Sequence, residues 1–319
     1  MTSVEFVKVV PDIGHDSKKK GRKYSAAITA FVIAVILAIS LVLIQQPETQ
    51  QTNVHVQRNL ATSPNQAGLY EPKPLFFFLG DSITEEGISP SKGGYIPLLQ
   101  NMVSRSADVI AHGLSGYNTR WVLKYAMPVV EEEIQSQTYT PTVVTIWFGT
   151  NDAVIINGSR SEKHVPIDSY KENLVQIVRK FQALVPSADI LLVTPPHVDD
   201  EARHNHAENG LVDRSHARSG MYARACVETA NLLGIPVLDL FNYFSAKPVS
   251  IRNSLLWDGL HFSPQGHKIV SNLLLSKIKS VFPDVAKALR SWKMISSSVL
   301  CESDPWIPEI TSDAGDSTA

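Results

Sequence analysis

Residues 75–84 read LFFFLGDSIT, five apolar residues that end directly in Gly-Asp-Ser. A short apolar run closed by a glycine predicts a buried strand, followed here by a turn into a helix. Gly80 gives this turn the backbone freedom it needs, and Ser82 can offer both its Oγ and its own N–H. The same pattern is typical of an Asp or Ser helix cap, so companion motifs elsewhere in the chain must decide its role.

Strands and helices alternate beyond this stretch. Further apolar runs predict strands at residues 108–111, 143–148, 190–194 and 235–240, which with 75–79 makes five. Helical patterns occupy residues 95–105, 119–135, 169–184, 214–233 and 264–281. This alternation predicts an α/β fold whose five strands form a parallel sheet with helices on both faces.

Two further loops follow strands and carry polar groups. Gly113-Leu114-Ser115-Gly116 follows the second strand, and Gly149-Thr150-Asn151-Asp152 follows the third. Because the carboxyl ends of parallel strands form one ligand crevice, we expect both loops to converge on Ser82. The N–H groups of Ser82 and Gly116 and the Asn151 amide are then suited to hold an oxyanion. A tight turn at Gly116 and an Asx turn at Asn151 are the structural alternatives.

A carboxylate and an imidazole lie three residues apart after the fifth strand, in Trp257-Asp258-Gly259-Leu260-His261. At this spacing Asp258 can orient Nδ1–H of His261 while Nε2 faces a hydroxyl. The sequence therefore predicts a Ser82, His261 and Asp258 triad. The same spacing also occurs at Asp12 with His15 and at Asp213 with His216, which are rival pairs. Ser263-Pro264 predicts the cap and first residue of the final helix.

The amino-terminal region predicts a membrane anchor. Residues 26–44, AAITAFVIAVILAISLVLI, begin at Ala26, end at Ile44 and carry no charge. Five basic residues lie just before this run, namely Lys18, Lys19, Lys20, Arg22 and Lys23, and no Lys or Arg follows it before Arg58. A span of this length with positive charge on one side predicts a type II orientation, with a cytoplasmic amino terminus and a lumenal or extracellular catalytic domain. Secretion after signal cleavage is the alternative.

The remaining segments suggest one catalytic domain with attachments. We divide the chain into a cytoplasmic tail at 1–23, a transmembrane signal anchor at 24–44, a flexible stalk at 45–74, a hydrolase domain at 75–295 and an acidic disordered tail at 296–319. The formal net charge is -2, without a basic stripe beyond the amino terminus, which argues against nucleic-acid binding. Cys226 and Cys301 could form one bridge, and Asn157 begins a glycosylation sequon.

Taken in order, G-D-S, Gly116, G-x-N-D and D-x-x-H resemble the motifs of the GDSL, or SGNH, hydrolase family. The stretches SGYNTRW, HVPIDSYKENL, TPPHVDDE and WDGLHFS are similar to its isoamyl acetate-hydrolysing esterase branch. The resemblance implies a flavodoxin-like three-layer fold and hydrolysis of short-acyl, acetyl-type esters. It also implies Ser82 as nucleophile, His261 as base, Asp258 as its orienter, and Ser82, Gly116 and Asn151 as oxyanion donors. An O-acetyl esterase acting on a glycan and an acyltransferase of the same fold are the nearest alternatives.

Two readings from other classes compete with this one. A metal-dependent hydrolase could draw its ligands from an acidic and histidine-rich loop, whose candidates are Asp199, Asp200, Glu201, His204, His206 and Glu208. A non-catalytic ectodomain could keep the fold alone. The serine mechanism requires neither a metal nor an organic cofactor, and its partner is a small ester.

Overall fold

The computed structural model describes residues 73–207, 209–291 and 297–305, all within the unit Gly68–Ala319. Its five strands are β1 (Leu75–Gly80), β2 (Asp108–Gly113), β3 (Val143–Trp147), β4 (Asp189–Val193) and β5 (Val237–Leu238). They form one parallel sheet in the order β2-β1-β3-β4-β5. All five strands predicted from the apolar runs are therefore present.

The helices lie on both sides of this sheet. They are α1 (Ser82–Ile88), α2 (Tyr95–Val103), α3 (Thr119–Trp121, continuing as described below), α4 (Ile167–Leu184), α5 (Asp200–Asn205), α6 (His216–Leu233), α7 (Leu240–Ser245), α8 (Val249–Asn253), α9 (Pro264–Val281), α10 (Pro283–Ser291) and α11 (Ser297–Ser303). Two short 3-10 turns, Pro90–Lys92 and Ser161–Lys163, lie between them.

Side chains of β1 alternate between two hydrophobic cores. Phe76 and Phe78 belong to the core that α2 and α9 cover, whereas Phe77 and Leu79 belong to the core under α3, α4 and α6. All four are almost completely buried. Because both faces of the strand are covered, its sequence reads as an unbroken apolar run rather than an alternating one. The result is the three-layer arrangement that the family resemblance implies.

The helix predicted at residues 119–135 is interrupted. It starts as Thr119–Trp121, widens into a π turn at Val122–Ala126 and returns to an α-helix at Met127–Gln135. Pro128 explains the interruption, because proline lacks an N–H and its ring collides with the carbonyl four residues earlier, here that of Lys124. The predicted helical segment 119–135 is confirmed, and the π turn within it is an additional feature that the prediction did not include.

The two ends of the chain are only partly described. The predicted tail at 1–23, the predicted anchor at 24–44 and residues 45–72 of the stalk predicted at 45–74 lie outside the described residues. Among the described residues, no helix has both the length and the apolar character to span a bilayer. Near the other end, Ser297–Ser303 is an exposed helix within the segment 296–319 that we expected to be disordered. Its two large apolar residues, Val299 and Leu300, are exposed.

Candidate active site

The proposed nucleophile follows β1, the strand on whose two sides the chain adds β2 and then β3, so that the strand order reverses there. β1 pairs with both β2 and β3, so the loops that follow these three strands surround one crevice at their carboxyl ends. Ser82 is the first residue of α1, directly after β1, and the helix is capped by Asp81, whose carboxylate accepts the N–H of Ile83. Because Asp81 serves as the cap, the Ser82 hydroxyl remains available for the crevice.

Ser82 and His261 meet although they lie far apart in sequence. The Oγ of Ser82 is 2.9 Å from Nε2 of His261, and Nδ1 of His261 is 2.8 Å from Oδ2 of Asp258. Ser82 and His261 are partly exposed and Asp258 is buried. These contacts form a continuous chain from hydroxyl to imidazole to carboxylate, which is the geometry of a nucleophile, a base and an orienting acid.

A tight loop holds the imidazole and its carboxylate together. Leu256 and Phe262 form an antiparallel bridge at its base, and the N–H of Trp257 donates to the carbonyl of His261 at 3.0 Å. Gly259 turns the chain with a φ of 83°, a left-handed conformation that favours glycine. Oδ1 of Asp258 accepts the N–H groups of Leu260 and His261, leaving Oδ2 for the imidazole. The loop fixes both ends of the carboxylate.

The two titratable partners shift each other's pKa values in opposite directions. Burial alone would raise the pKa of Asp258, but the His261 hydrogen bond and charge, with two backbone N–H donors, hold it well below its ordinary value. Burial alone would lower the pKa of His261, but Asp258 outweighs this effect and raises it above 6.5. The pairing therefore keeps Asp258 ionised and makes His261 a stronger base.

Gly116 and Asn151 line the same cavity as Ser82, which has a volume of about 190 Å³. Gly116 adopts a φ of 80°, so the expected tight turn is present and borders the site as well. The Asn151 amide is fixed on both sides: Oδ1 accepts a hydrogen bond from Arg214 at 2.7 Å, and Nδ2 donates to the Tyr117 carbonyl at 2.9 Å. Since an amide nitrogen carries two hydrogens, one N–H of Asn151 remains for a ligand.

A charged network that the sequence analysis did not foresee connects the two sides of the site. Arg203 binds both carboxylate oxygens of Asp213 through Nη2, at 2.9 and 2.8 Å, and donates from Nη1 to the Asp258 carbonyl at 3.2 Å. Arg214 contacts Asp213 at 3.2 Å and continues to Asn151. The network runs from the oxyanion side to the carboxylate of the triad. Arg203 lies on α5 and Arg214 just before α6, and they reach Asp258 and Asn151 in other parts of the chain. In the sequence, the adjacent Asp213 and Arg214 were the one indication of this network.

The rival Asp-x-x-His pairs are placed differently. Asp213 is engaged by Arg203 and Arg214, and the His216 ring stacks on Phe241 with centroids 4.8 Å apart. Neither observation brings an imidazole of this pair to a hydroxyl. The other pair, Asp12 with His15, lies outside the described residues.

Two of the candidate metal ligands, Asp199 and Asp200, have structural roles. Asp199 caps α5 by accepting the N–H groups of Glu201 and Ala202, and Asp200 accepts the N–H of His216 at 2.6 Å. Within 73–207, 209–291 and 297–305, which exclude Glu208, no cluster of three or more His, Cys, Asp or Glu side chains could hold a metal ion. Cys226 is buried, Cys301 is exposed, and both are free thiols, so the bridge considered above is not formed.

Comparison with known proteins places these features in a family. The GDSL-like Lipase/Acylhydrolase family profile matches residues 78–269. A GDSL esterase/lipase from Arabidopsis thaliana is 40% identical over 64% of this chain and 85% of its own length. An isoamyl acetate-hydrolyzing esterase 1 homolog from Bos taurus is 34% identical over 71% of this chain and 89% of its own.

The fold is also shared with a solved structure, a lipase/acylhydrolase from Enterococcus faecalis. It superposes with a TM-score of 0.51 over 65% of this chain and 96% of that chain, at 24% sequence identity. Sequence and fold agree: this chain belongs to the GDSL-like lipase/acylhydrolase family and is a carboxylic ester hydrolase.

Proposed function

We propose that this protein hydrolyses short-acyl carboxylic esters through an acyl-enzyme intermediate on Ser82. The hydrogen-bonded chain from Ser82 to His261 to Asp258, at the wall of a small cavity, is the observation that carries the proposal. The name of the Bos taurus relative, which describes hydrolysis of isoamyl acetate, also supports an acetyl-type substrate.

The cavity favours a small and polar substrate. Its volume is about 190 Å³, and among the described residues that line it, Leu260 has the one purely hydrocarbon side chain. A long acyl chain needs a lining of apolar side chains to leave water favourably, at roughly 0.8 kcal/mol for each buried methylene group. A short acyl group loses little by binding in this polar space.

The proposed mechanism assigns one role to each contact. His261 Nε2 removes the proton from Ser82 Oγ, and the resulting alkoxide attacks the ester carbonyl carbon. The N–H groups of Ser82 and Gly116 and the free N–H of Asn151 hold the negative carbonyl oxygen. The tetrahedral intermediate collapses as His261 gives its proton to the departing alcohol. Water, deprotonated by His261, then attacks the acyl carbonyl carbon. The acid is released as His261 returns the proton to Ser82 Oγ.

An acyl-length series tests the proposal on the purified protein. We expect 4-nitrophenyl acetate and butyrate to be hydrolysed with a much higher kcat/KM than the decanoate, and Ser82→Ala to lose this activity while keeping its melting temperature. A Ser263→Ala variant, which removes the cap of α9, serves as a control for a serine change outside the cavity. A preference for long acyl chains, or full activity in Ser82→Ala, would contradict the proposal.

We also propose that residues 24–44 anchor the protein with its catalytic domain on the non-cytoplasmic side, and that Asn157 is glycosylated there. The uncharged apolar run and its preceding basic residues support the anchor, and Asn157 is exposed in the loop after β3. Full-length protein should remain in the membrane pellet after alkaline carbonate extraction, and glycosidase treatment should reduce its mass. Release of the intact chain into the carbonate supernatant would contradict the anchor.

A further inference from the structure

Lys163 contributes a positive charge to the wall of the cavity beside Gly116. It ends the 3-10 turn Ser161–Lys163, between β3 and α4, and it is half-buried. Its Nζ lies 3.0 Å from the position that a Cβ on Gly116 would occupy. The ammonium group is therefore next to the glycine that we assign to the oxyanion hole, within reach of a bound substrate.

The loop that carries Lys163 is held in place from both sides. The carbonyl of Lys163 accepts Nδ2 of the fully buried Asn118 at 2.7 Å, and its N–H donates to the Arg160 carbonyl at 3.0 Å. Ser159 Oγ donates to the Leu211 carbonyl at 2.9 Å. Arg160 has a φ of 66°, a conformation that costs a non-glycine residue free energy and persists where surrounding contacts impose it. The backbone thus presents Lys163 to the cavity in a defined position.

Cations outnumber carboxylates around the cavity. The described residues that line it include four cationic side chains, of Arg160, Lys163, Arg203 and Arg214, and two carboxylates, of Asp213 and Asp258. A cleft lined by one sign of charge attracts ligands of the opposite sign.

The positive charges are not equally balanced. Arg203 and Arg214 pair with Asp213, and Arg203 also approaches Asp258. In the part of the chain that the structure describes, Lys163 forms no ion pair with a carboxylate. Burial, with the charges of Arg214 and Arg160, lowers its pKa. An anion bound beside Lys163 would supply the missing ion pair and would raise the pKa of the ammonium group.

Two buried carboxyl groups near the site do not change this balance at the cavity wall. Asp81 and Asp152 are completely buried and do not line the cavity. Burial raises the pKa of Asp81 to about 6 and that of Asp152 to about 7, because a buried site favours the neutral form of a carboxyl group.

We infer that the substrate is an ester that carries a negatively charged group, and that Lys163 binds this group and sets the specificity. The inference rests on the proposed serine esterase function and adds the chemical class of its substrate. A carboxylate, phosphate or sulfate can accept charge-assisted hydrogen bonds from the ammonium group. The charge can belong to the acyl half of the ester or to the alcohol half, and the two sources are separable by experiment.

Matched ester pairs test the inference. For the acyl half, mono-4-nitrophenyl succinate is compared with its neutral methyl ester; for the alcohol half, 3-acetoxybenzoate is compared with methyl 3-acetoxybenzoate. The measured quantity is the ratio of kcat/KM for the charged ester to that for the neutral ester. In Lys163→Met this ratio should fall by roughly 10- to 100-fold for at least one pair, the effect of losing one charge-assisted hydrogen bond.

Three controls accompany this measurement. Lys163→Arg should restore most of the ratio because it keeps the charge. Lys171→Met, which removes a partly exposed lysine that pairs with Glu228 away from the cavity, should leave the ratio unchanged. Added salt should lower the wild-type ratio, since mobile ions screen the attraction in a cleft that is open to solvent.

The outcomes separate this inference from its alternatives. A fall confined to the succinate pair assigns the anion to the acyl half, and a fall confined to the acetoxybenzoate pair assigns it to the alcohol half. If Lys163→Met leaves the ratio unchanged in both pairs, Lys163 binds no substrate anion; an equal loss of kcat/KM for charged and neutral esters would then mean that it only stabilises the oxyanion. Either result overturns the inference while the serine mechanism stands. Absence of wild-type activity on all four esters, or full activity in Ser82→Ala, would instead refute the proposed function, and this inference with it.

Discussion

Replacing Asp258 by asparagine changes one atom of the site, and the structure indicates which way the new amide must face. Oδ1 of Asp258 accepts two backbone N–H groups, at 2.9 Å from Leu260 and 2.8 Å from His261. An amide has one accepting oxygen, so in Asp258→Asn that oxygen takes the position of Oδ1. The NH₂ group then occupies the position of Oδ2, which is 2.8 Å from Nδ1 of His261.

This orientation forces the imidazole into the wrong tautomer. An NH₂ group donates to Nδ1, so the proton of the neutral ring moves to Nε2, where it blocks proton transfer from Ser82. The NH₂ group also faces Nη1 of Arg203, which lies 3.6 Å from Oδ2 in the native site. We expect kcat to fall by about 10³- to 10⁴-fold, as for the same change in serine protease triads, which corresponds to about 4 to 5.5 kcal/mol in activation free energy.

The assay is the turnover of 4-nitrophenyl acetate by Asp258→Asn, with Asp258→Ala as comparison and Asp284→Asn, an exposed position on α10, as control. Asp258→Ala leaves Nδ1 free to carry the proton, so the isosteric asparagine variant should be at least as impaired as alanine. Nitrogen NMR of His261 should show the proton on Nε2 in the asparagine variant. An asparagine variant that is folded and retains more than a tenth of the wild-type kcat would refute this reasoning.

Four further expectations rest on contacts described above. Asn151→Ala should lower kcat by roughly 10²- to 10³-fold without a large change in melting temperature, because it removes one oxyanion donor. Arg214→Met should lower kcat about tenfold, because the Asn151 amide can then rotate. An unchanged kcat in either variant would contradict the role given to that residue. The kcat/KM should fall as the pH drops through the pKa of His261, because a protonated imidazole cannot accept the Ser82 proton. Pairing with Asp258 raises this pKa above 6.5. A kcat/KM that is constant from pH 5 to 8 would contradict this expectation. Activity should survive dialysis against a chelator, because Asp199 caps a helix; loss that a divalent cation restores would support the metal reading instead.

Much of the fold was predictable because the centre of the sheet is buried on both faces. The strands β1, β3 and β4 are mostly apolar runs, and Ser263 with Pro264 marks the start of α9 at the predicted residue. The short helices α5, α7 and α8 were missed because segments of five or six residues do not establish a helical period. The π turn in α3 could have been expected from Pro128, because a proline ring clashes with the turn that precedes it in an α-helix.

Some residues of the candidate site could also be predicted from the sequence, whereas some of its contacts could not. Three of the proposed site residues, Ser82, Gly116 and Asn151, each follow a strand, so their convergence could be inferred from the rule that parallel strands end at one edge. The Asp258 and His261 pair also lies after β5, but α7 and α8 separate it from that strand. The network of Arg203, Asp213 and Arg214 could not be inferred, because its contacts join two loops to Asn151 and to the Asp258 carbonyl through long side chains. Asp213 in particular had been considered as part of a rival pair, whereas the structure places it between two arginines.

Peptide mass spectrometry after reaction with a fluorophosphonate tests the central claim most directly. The reagent requires a nucleophile activated as Ser82 is by the 2.9 Å contact to His261. We predict one adduct per chain, on the peptide that contains Ser82, with labelling abolished in Ser82→Ala and slowed by orders of magnitude in His261→Ala. An adduct on Ser115 or another serine, with Ser82 unmodified in active protein, would contradict the assignment of the nucleophile and the mechanism built on it.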